Sequence, residues 1–195
     1  MGFDYLEDMN LSKTHLSFFY SELEKSMRKV AFYDDANPPV ATLKDGSKVP
    51  VKLNMVRKPF LVVGAPGIGK TEGVMTAIKN INKEIDEKGL PASKKWGLVK
   101  IMLGQTIMGE LSGMVVPIEE SGKKVVRRVQ LNDLPKADEQ EYGILFLDEV
   151  TTADEAQIQP ALGFTDGSRC INGGYTLPEH WIVVCAGNGP DASNF

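Results

Sequence analysis

One stretch in the first half of the chain constrains its fold more than any other. An apolar run, residues 61–63, leads directly into Gly64, Ala65, Pro66, Gly67, Ile68, Gly69, Lys70 and Thr71. The run predicts the end of a buried strand. Glycines let the backbone curl so that successive N–H groups point inward at an anion, while lysine adds a flexible point charge. The spacing Gly-x-x-x-x-Gly-Lys-Thr therefore predicts a phosphate-binding loop, and the alternative is a glycine-rich turn without a ligand.

The helix expected after this loop contributes to the same site. Its first backbone N–H groups have no partner within the helix and lie at the positive end of the helix dipole. We therefore extend the predicted binding segment from Gly64 to Glu72. Lys70 is expected to contact the β- and γ-phosphates of a nucleotide and Thr71 to coordinate Mg²⁺, and the motif does not distinguish ATP from GTP.

Two carboxylates follow the apolar run at residues 144–147. Asp148 and Glu149 would lie at the carboxyl end of a strand buried on both faces, which is the edge where open parallel sheets bind ligands. Asp148 is predicted to hold Mg²⁺, directly or through water, and Glu149 to polarise the attacking water. The alternative is an acidic pair that only solvates a loop.

Asn188 follows a second fully apolar run, residues 181–186, and would reach the same edge of the sheet. An amide in that place can contact both the γ-phosphate and the attacking water, so Asn188 joins Glu149 and Lys70 as a predicted catalytic residue. The alternative is a turn asparagine between two glycines.

Strand-like and helix-like patterns alternate along the chain. Strands are expected at residues 59–63, 96–103, 143–147 and 181–186, helices at 11–32, 70–88 and 105–111, and hairpins at 40–53, 115–129 and 169–177. A capping box at residues 152–155 predicts a further helix that begins at Ala153, is kinked or shortened by Pro160, and buries Ile158, Leu162 and Phe164. This order predicts an α/β fold with a mostly parallel sheet covered on both faces.

Composition and charge narrow the classes of protein further. The 195 residues are 42% hydrophobic and 25% charged, which is ordinary for a globular protein. The net charge of −4 and the pI of about 5.3 argue against nucleic-acid binding. Lys123, Lys124, Arg127 and Arg128 still form a basic hairpin that is either a solvated edge or a contact loop. Arg169 is expected at the surface, although it could also face a neighbouring subunit.

The cellular location follows from features that the sequence lacks. The two cysteines, Cys170 and Cys185, do not suggest a disulfide framework, and Cys185 is expected to be buried. The acidic first ten residues lack the apolar segment of a signal peptide, and the apolar runs are too short to span a bilayer. We expect a cytoplasmic protein without a membrane anchor.

The order of these motifs resembles that of the AAA+ ATPases, and within them the MoxR-like group of the dynein-related and chelatase branch. The resemblance covers residues 58–191. Residues 64–71 are similar to Walker A, 144–149 to Walker B, and 186–188 to sensor 1. Two stretches are more specific to the group. They are Gly109 to Gly113 with the hairpin after it, similar to the helix-two insertion, and Arg169 to Trp181, similar to the hairpin before sensor 1.

This resemblance implies a three-layer αβα P-loop NTPase core with strand order 5-1-4-3-2 and Mg²⁺-ATP as substrate. It also implies a homo-oligomeric ring that remodels a protein client, often one with a von Willebrand factor A domain. We divide the chain into an N-terminal helix and hairpin extension, residues 1–57, and an AAA+ core, residues 58–195. The fifth strand, the arginine finger and the helical lid of that family are not found in the sequence, so we expect either a fragment or a naturally short relative.

Three functions follow as hypotheses. The first is an ATPase motor domain in which Lys70, Glu149 and Asn188 act on the γ-phosphate. The second is a nucleotide-binding module with little activity alone, because an arginine finger contributes ~10³–10⁵ in rate in related NTPases. The third is a nucleic-acid-associated motor that uses the basic hairpin, and the acidic pI disfavours it.

Overall fold

The computed structural model describes residues 14–106, 110–129, 134–171 and 174–189. The α-helices are α1 (Thr14–Ala31), α2 (Leu53–Val56), α3 (Lys70–Glu87) and α4 (Glu155–Leu162). The strands are β1 (Val40–Thr42), β2 (Lys48–Pro50), β3 (Phe60–Val63), β4 (Trp96–Met102), β5 (Met114–Glu120), β6 (Lys123–Val129), β7 (Tyr142–Asp148), β8 (Cys170–Ile171), β9 (Tyr175–Thr176) and β10 (His180–Gly187).

A four-stranded, all-parallel sheet forms the centre of the fold, in the order β3-β10-β7-β4. This confirms the α/β class and the parallel sheet. If the four strands of this sheet are numbered 1 to 4 along the chain, as β3, β4, β7 and β10, their order in the sheet is 1-4-3-2. This is the implied order 5-1-4-3-2 without its strand 5. Among the described residues no fifth strand joins this sheet, and β3 therefore forms its edge.

Helices α1 and α3 cover one face of the sheet. Their apolar stripes share one buried cluster with inward side chains of the strands. The buried members from the two helices are Leu23, Met27, Val30, Ala31, Val74, Ala77, Ile81 and Ile85. Hydrogen bonds between polar side chains also join α1 to α3. Arg28 Nε donates to Glu84 Oε2 at 2.7 Å, and Asn80 Nδ2 donates to Glu24 Oε1 at 2.8 Å. Helix α1 is thus packed along α3 as part of the layered core.

The opposite face of the sheet is covered by α4 and the β8–β9 hairpin. Leu145, Leu147 and Val183 point to this side and pack with Phe164 and Ile171 in a second buried cluster. The sheet therefore has a helical layer on one face and a mixed layer on the other, which matches the predicted three-layer αβα arrangement.

Three predictions about burial are wrong. Strand β3 is buried on one face only, because Val62 is 6% exposed whereas Leu61 and Val63 are 64% and 44% exposed. The reason is its edge position, where no described element covers the outer part of the second face. Leu162, the last residue of α4, is 49% exposed, and the buried contacts of this segment come from Ala161 and Phe164 instead. Arg169 is buried, with 8% of its surface exposed.

Helix boundaries also differ from the sequence predictions. Helix α4 begins at Glu155 rather than Ala153, because Asp154 occupies the cap position and its N–H donates to Gln157 Oε1 at 2.7 Å. The helix predicted at residues 105–111 is not found among its described residues: Gln105 ends a short 3₁₀ turn, Leu103–Gln105, and residues 106, 110 and 111 are not helical. Residues 107–109 of that prediction, residues 130–133, the predicted turn at 172–173 and the two chain ends, 1–13 and 190–195, lie outside the described residues.

The predicted hairpins β1–β2 and β5–β6 are present as separate two-stranded sheets. On the basic hairpin, Arg127 Nε lies 2.7 Å from Glu120 Oε1, and Arg128 Nη1 donates to Ser112 O at 2.8 Å. Both arginines are therefore engaged within the chain. No helix in the described part of the chain is long and apolar enough to cross a membrane.

Candidate nucleotide-binding site

The glycine-rich loop connects β3 to α3, as the sequence predicts. Gly67 and Gly69 have φ angles of 75° and 97°, which L-residues with a side chain adopt only under strain. Gly69 is the cap residue of α3, so the loop ends directly at the open N–H groups of the helix. The two glycines therefore allow the chain to reverse direction and still present a helix N-terminus to the loop.

Lys70 is folded back over the loop. Its Nζ donates to the carbonyl oxygens of Gly64 at 2.7 Å and Ala65 at 3.1 Å, and to Asn188 Oδ1 at 3.3 Å. Burial lowers the pKa of the Lys70 ammonium group, and the nearby carboxylate of Asp148 opposes that shift. The cation is thus surrounded by oxygen atoms that a phosphate could replace.

The parallel register brings the other predicted residues to this loop. Asp148 is paired with Met102 across β4 and β7, and Gly187 with Val63 across β10 and β3, so the four strands end at one edge. A cleft of about 400 Å³ lies there. It is lined by Pro66, Gly67, Gly69, Lys70, Thr71, Glu72, Asp148, Glu149 and Asn188. Of the predicted set, Gly64, Ala65 and Ile68 do not line the cleft, although Gly64 and Ala65 hold Lys70.

Asp148 has a partner that the sequence analysis missed. Lys100 Nζ, from β4, lies 2.9 Å from Asp148 Oδ2, and the Glu149 N–H donates to Asp148 Oδ1 at 3.0 Å. A lysine inside the otherwise apolar strand 98–102 was the available signal. A buried strand tolerates such a charge when it has a partner of opposite sign.

Glu149 adopts a left-handed backbone conformation with a φ of 60°. Side-chain-bearing residues rarely do so, and such strain is found where a fixed side-chain direction matters. The turn is held because the backbone N–H and Oγ1 of Thr152 both donate to Glu149 O, at 3.1 and 3.0 Å. A Cβ on Gly104 would lie 2.9 Å from Glu149 Oε2, so the carboxylate packs against that glycine.

Asn188 is held from both sides. Its backbone N–H donates to Thr151 Oγ1 at 2.9 Å while its Oδ1 accepts from Lys70. A Cβ on the preceding Gly187 would lie 2.5 Å from Thr151 Cγ2, which explains a glycine at this strand end. The side-chain carbonyl is thereby directed at Lys70, and the amide nitrogen remains as a donor for a ligand.

The residues predicted to hold Mg²⁺ fit that ion in chemistry. Thr71 supplies a hydroxyl and Asp148 a carboxylate, the hard oxygen donors that Mg²⁺ prefers. In the described ranges no group of three or more His, Cys, Asp or Glu side chains converges on a metal position. An ion here would therefore take its other ligands from phosphate oxygens and water, and it would compete with Lys100 for Asp148.

Comparisons with known proteins add little to this geometry. No protein-family model and no curated protein matches the chain. Among solved structures, the chain is similar to a "putative ATPase" from Cytophaga hutchinsonii ATCC 33406, with 14% sequence identity and a TM-score of 0.38. The alignment covers 91% of this chain and 46% of that protein, so this chain spans less than half its length. At this level the similarity carries no inference about activity, and the fold is defined by the chain's own sheet and helices.

Proposed function

We propose that this chain binds Mg²⁺-ATP in the cleft at the glycine-rich loop and hydrolyses the γ-phosphate. One observation carries the proposal. Lys70, Asp148, Glu149 and Asn188, which are up to 118 positions apart in sequence, line one cleft beside a helix N-terminus. A lysine, two carboxylates and an amide around a phosphate-sized opening form the arrangement that phosphoryl transfer requires.

Each side chain receives a role from its contacts. Lys70 exchanges the carbonyls of Gly64 and Ala65 for phosphate oxygens and neutralises their charge. Asn188 already accepts from Lys70, so its amide nitrogen is placed to donate to the γ-phosphate or to the attacking water. Glu149, fixed by its strained turn, orients and polarises that water.

The metal-binding residues act beside this group. Thr71 and Asp148 would hold Mg²⁺, which would neutralise negative charge on the phosphate oxygens. The ring assembly and the protein client that the AAA+ resemblance implies belong to the same proposal. In this proposal the chain works in a ring in the cytoplasm and uses the energy of ATP hydrolysis to remodel a protein partner.

The experiment compares three variants by ATP affinity and by phosphate release. Glu149→Gln should bind ATP within about threefold of the parent and lose at least ~10²-fold in kcat, the usual contribution of a general base. Lys70→Ala should bind ATP more weakly than the parent does. Glu119→Gln, the same chemical change at an exposed hairpin position, is the control and should match the parent. Hydrolysis by Glu149→Gln at the parent rate would refute the role of Glu149.

A nucleotide-binding module with slow turnover is the second candidate. It is favoured because Lys70 is the one cationic side chain among the described residues that line the cleft. Without an arginine from a neighbouring molecule, the developing charge on the γ-phosphate is stabilised less, and the rate falls by about 10³–10⁵. Specific activity measured across a wide range of protein concentration separates the two. A rise with concentration indicates an assembled site, whereas brisk and constant activity excludes this candidate.

A further inference from the structure

Arg169, which is buried, and Arg57, which is partly buried, line one small cleft at the end of β3 away from the glycine-rich loop. Arg169 is 8% exposed, and the side chain of Arg57 is 13% exposed. Within the described residues, the Nε atoms of both arginines are buried and have no hydrogen-bond partner. Buried donors without acceptors are costly, so these two guanidinium groups have more donors than the surrounding protein satisfies.

The two arginines line a small cleft of about 180 Å³. Its charged lining residues are Arg57, Lys58, Asp166 and Arg169. Lys58 and Pro59 precede β3, whereas the glycine-rich loop follows it, so the two clefts lie at opposite ends of this strand. The volume is below the ~300 Å³ at which pockets for larger organic ligands begin, which limits an occupant to a small group.

The charge of this cleft is strongly positive for a chain with a net charge of −4. Three cationic side chains stand against the single carboxylate of Asp166. That carboxylate is already engaged locally, because its Oδ1 accepts from the N–H groups of Ser168 and Arg169 at 2.8 and 3.1 Å. Its contacts leave the arginines without a close counter-charge inside the cleft.

The groups nearest to each arginine neutralise its positive charge only in part. Arg169 Nη2 donates to the carbonyl oxygens of Pro178 at 3.0 Å and Trp181 at 2.7 Å, which are neutral acceptors. Arg57 Nη1 donates to Glu179 O and lies 4.0 Å from Glu179 Oε1, a carboxylate that lines a different, larger cleft. Burial, followed by repulsion from Arg57, lowers the pKa of Arg169 to about 10.

We propose that the cleft between Arg57 and Arg169 is a binding site for a small tetrahedral oxyanion of the phosphate type. Guanidinium groups offer several N–H donors in a fixed plane and match phosphate oxygens better than an ammonium group does. Such an anion supplies the acceptors and the negative charge that the two side chains lack. Both arginines line the cleft, and Lys58 adds a third cation to its wall.

Inorganic phosphate is the probe, measured by isothermal titration calorimetry at constant ionic strength. All proteins carry Lys70→Ala, so that phosphate binding at the glycine-rich loop is suppressed and the outcome is independent of nucleotide chemistry. We expect saturable binding that Arg57→Gln weakens at least tenfold and Lys58→Gln weakens severalfold. Arg127→Gln, which removes an exposed hairpin arginine, is the control and should bind as the Lys70→Ala parent does.

Three results would overturn the proposal. They are the absence of saturable binding in the Lys70→Ala parent, equal affinity in its Arg57→Gln derivative, and acetate binding as tightly as phosphate. Arg57 lies at the cleft wall and can be replaced without the two carbonyl contacts of Arg169 being lost. A folded Arg57→Gln protein, verified by its thermal unfolding, therefore gives a decisive answer.

Discussion

The phenol of Tyr20 in α1 donates a hydrogen bond of 2.7 Å to the carbonyl oxygen of Gly69, the last residue of the glycine-rich loop. The same carbonyl oxygen also accepts a hydrogen bond of 2.9 Å from the N–H of Gly73, a residue in the first turn of α3. The Tyr20 ring lies so close to Gly73 that a Cβ there would be 1.9 Å from its Cζ. A residue about 50 positions upstream therefore helps to fix the end of the phosphate loop.

Replacing Tyr20 with Phe tests this connection, because it removes the hydroxyl and keeps the ring. We expect a loss of about 0.5–1.5 kcal/mol in the free energy of unfolding, the usual net contribution of one such bond. ATP affinity should also fall, by up to about tenfold, since the loop loses an anchor. The measurements are chemical unfolding and equilibrium nucleotide binding.

Tyr33→Phe provides the matched control. The Tyr33 hydroxyl donates to Val51 O at 2.7 Å and holds the N-terminal hairpin, away from the loop. A similar loss of stability with unchanged ATP affinity is expected there. If both variants change affinity equally, Tyr20 acts through general stability and not through the loop.

Gly73→Ala should destabilise the protein when Tyr20 is present and stabilise it when Tyr20 is replaced by alanine. A glycine in a helix normally costs about 0.5–1 kcal/mol relative to alanine. With Tyr20 present, the added methyl group displaces the ring, and we expect a destabilisation of about 1–3 kcal/mol, as for other overpacked sites. In a Tyr20→Ala background the clash is absent, so the same substitution should stabilise the protein. A double-mutant cycle of unfolding free energies measures the coupling, and a coupling near zero would contradict the described contact.

The parts of the fold that were predictable are those in which local pattern and topology agree. The run at residues 144–147 is apolar throughout because it lies in the middle of a parallel sheet with both faces covered. The glycine-rich loop was recognisable because two of its glycines require positive φ angles. In both cases a short stretch of sequence contains the physical requirement itself.

The parts that were missed depend on contacts between distant residues. Leu61 looks like a core residue, yet its exposure follows from the edge position of β3, which periodicity does not reveal. Tyr20 lies beside the apolar stripe of α1, and nothing in its neighbours indicates that it reaches Gly69. Arg169 was expected at the surface because arginine usually is, and only the fold shows that two carbonyl groups hold it inside.

As the pH rises, nucleotide affinity should begin to fall at a lower pH than it would if the phosphate-binding lysine had an ordinary pKa. Burial lowers the pKa of Lys70, so the side chain loses its proton below the pH at which an exposed lysine does. Only the charged form neutralises phosphate, and affinity therefore falls as pH rises through the lowered pKa. Titrations of ATP binding from pH 7 to 10 provide the measurement.

Lys70→Arg is the comparison for this pH profile, because a guanidinium group stays charged throughout the range. Its affinity should be nearly independent of pH, whatever its value at pH 7. A parallel decline in both proteins would assign the pH dependence to another group.

Lys100→Met should lower the concentration of Mg²⁺ that ATP binding requires. Lys100 Nζ lies 2.9 Å from Asp148 Oδ2, so the lysine and the metal compete for one carboxylate. Both side chains are partly exposed, and such an ion pair contributes about 0.2–1 kcal/mol. Its removal should lower the Mg²⁺ concentration for half-maximal ATP binding by up to about fivefold, measured by titrating Mg²⁺ at fixed ATP. Lys95→Met is the control, because its ion pair with Asp86 is remote from the cleft. An increased Mg²⁺ requirement in Lys100→Met would instead show that Lys100 holds Asp148 in place for the metal.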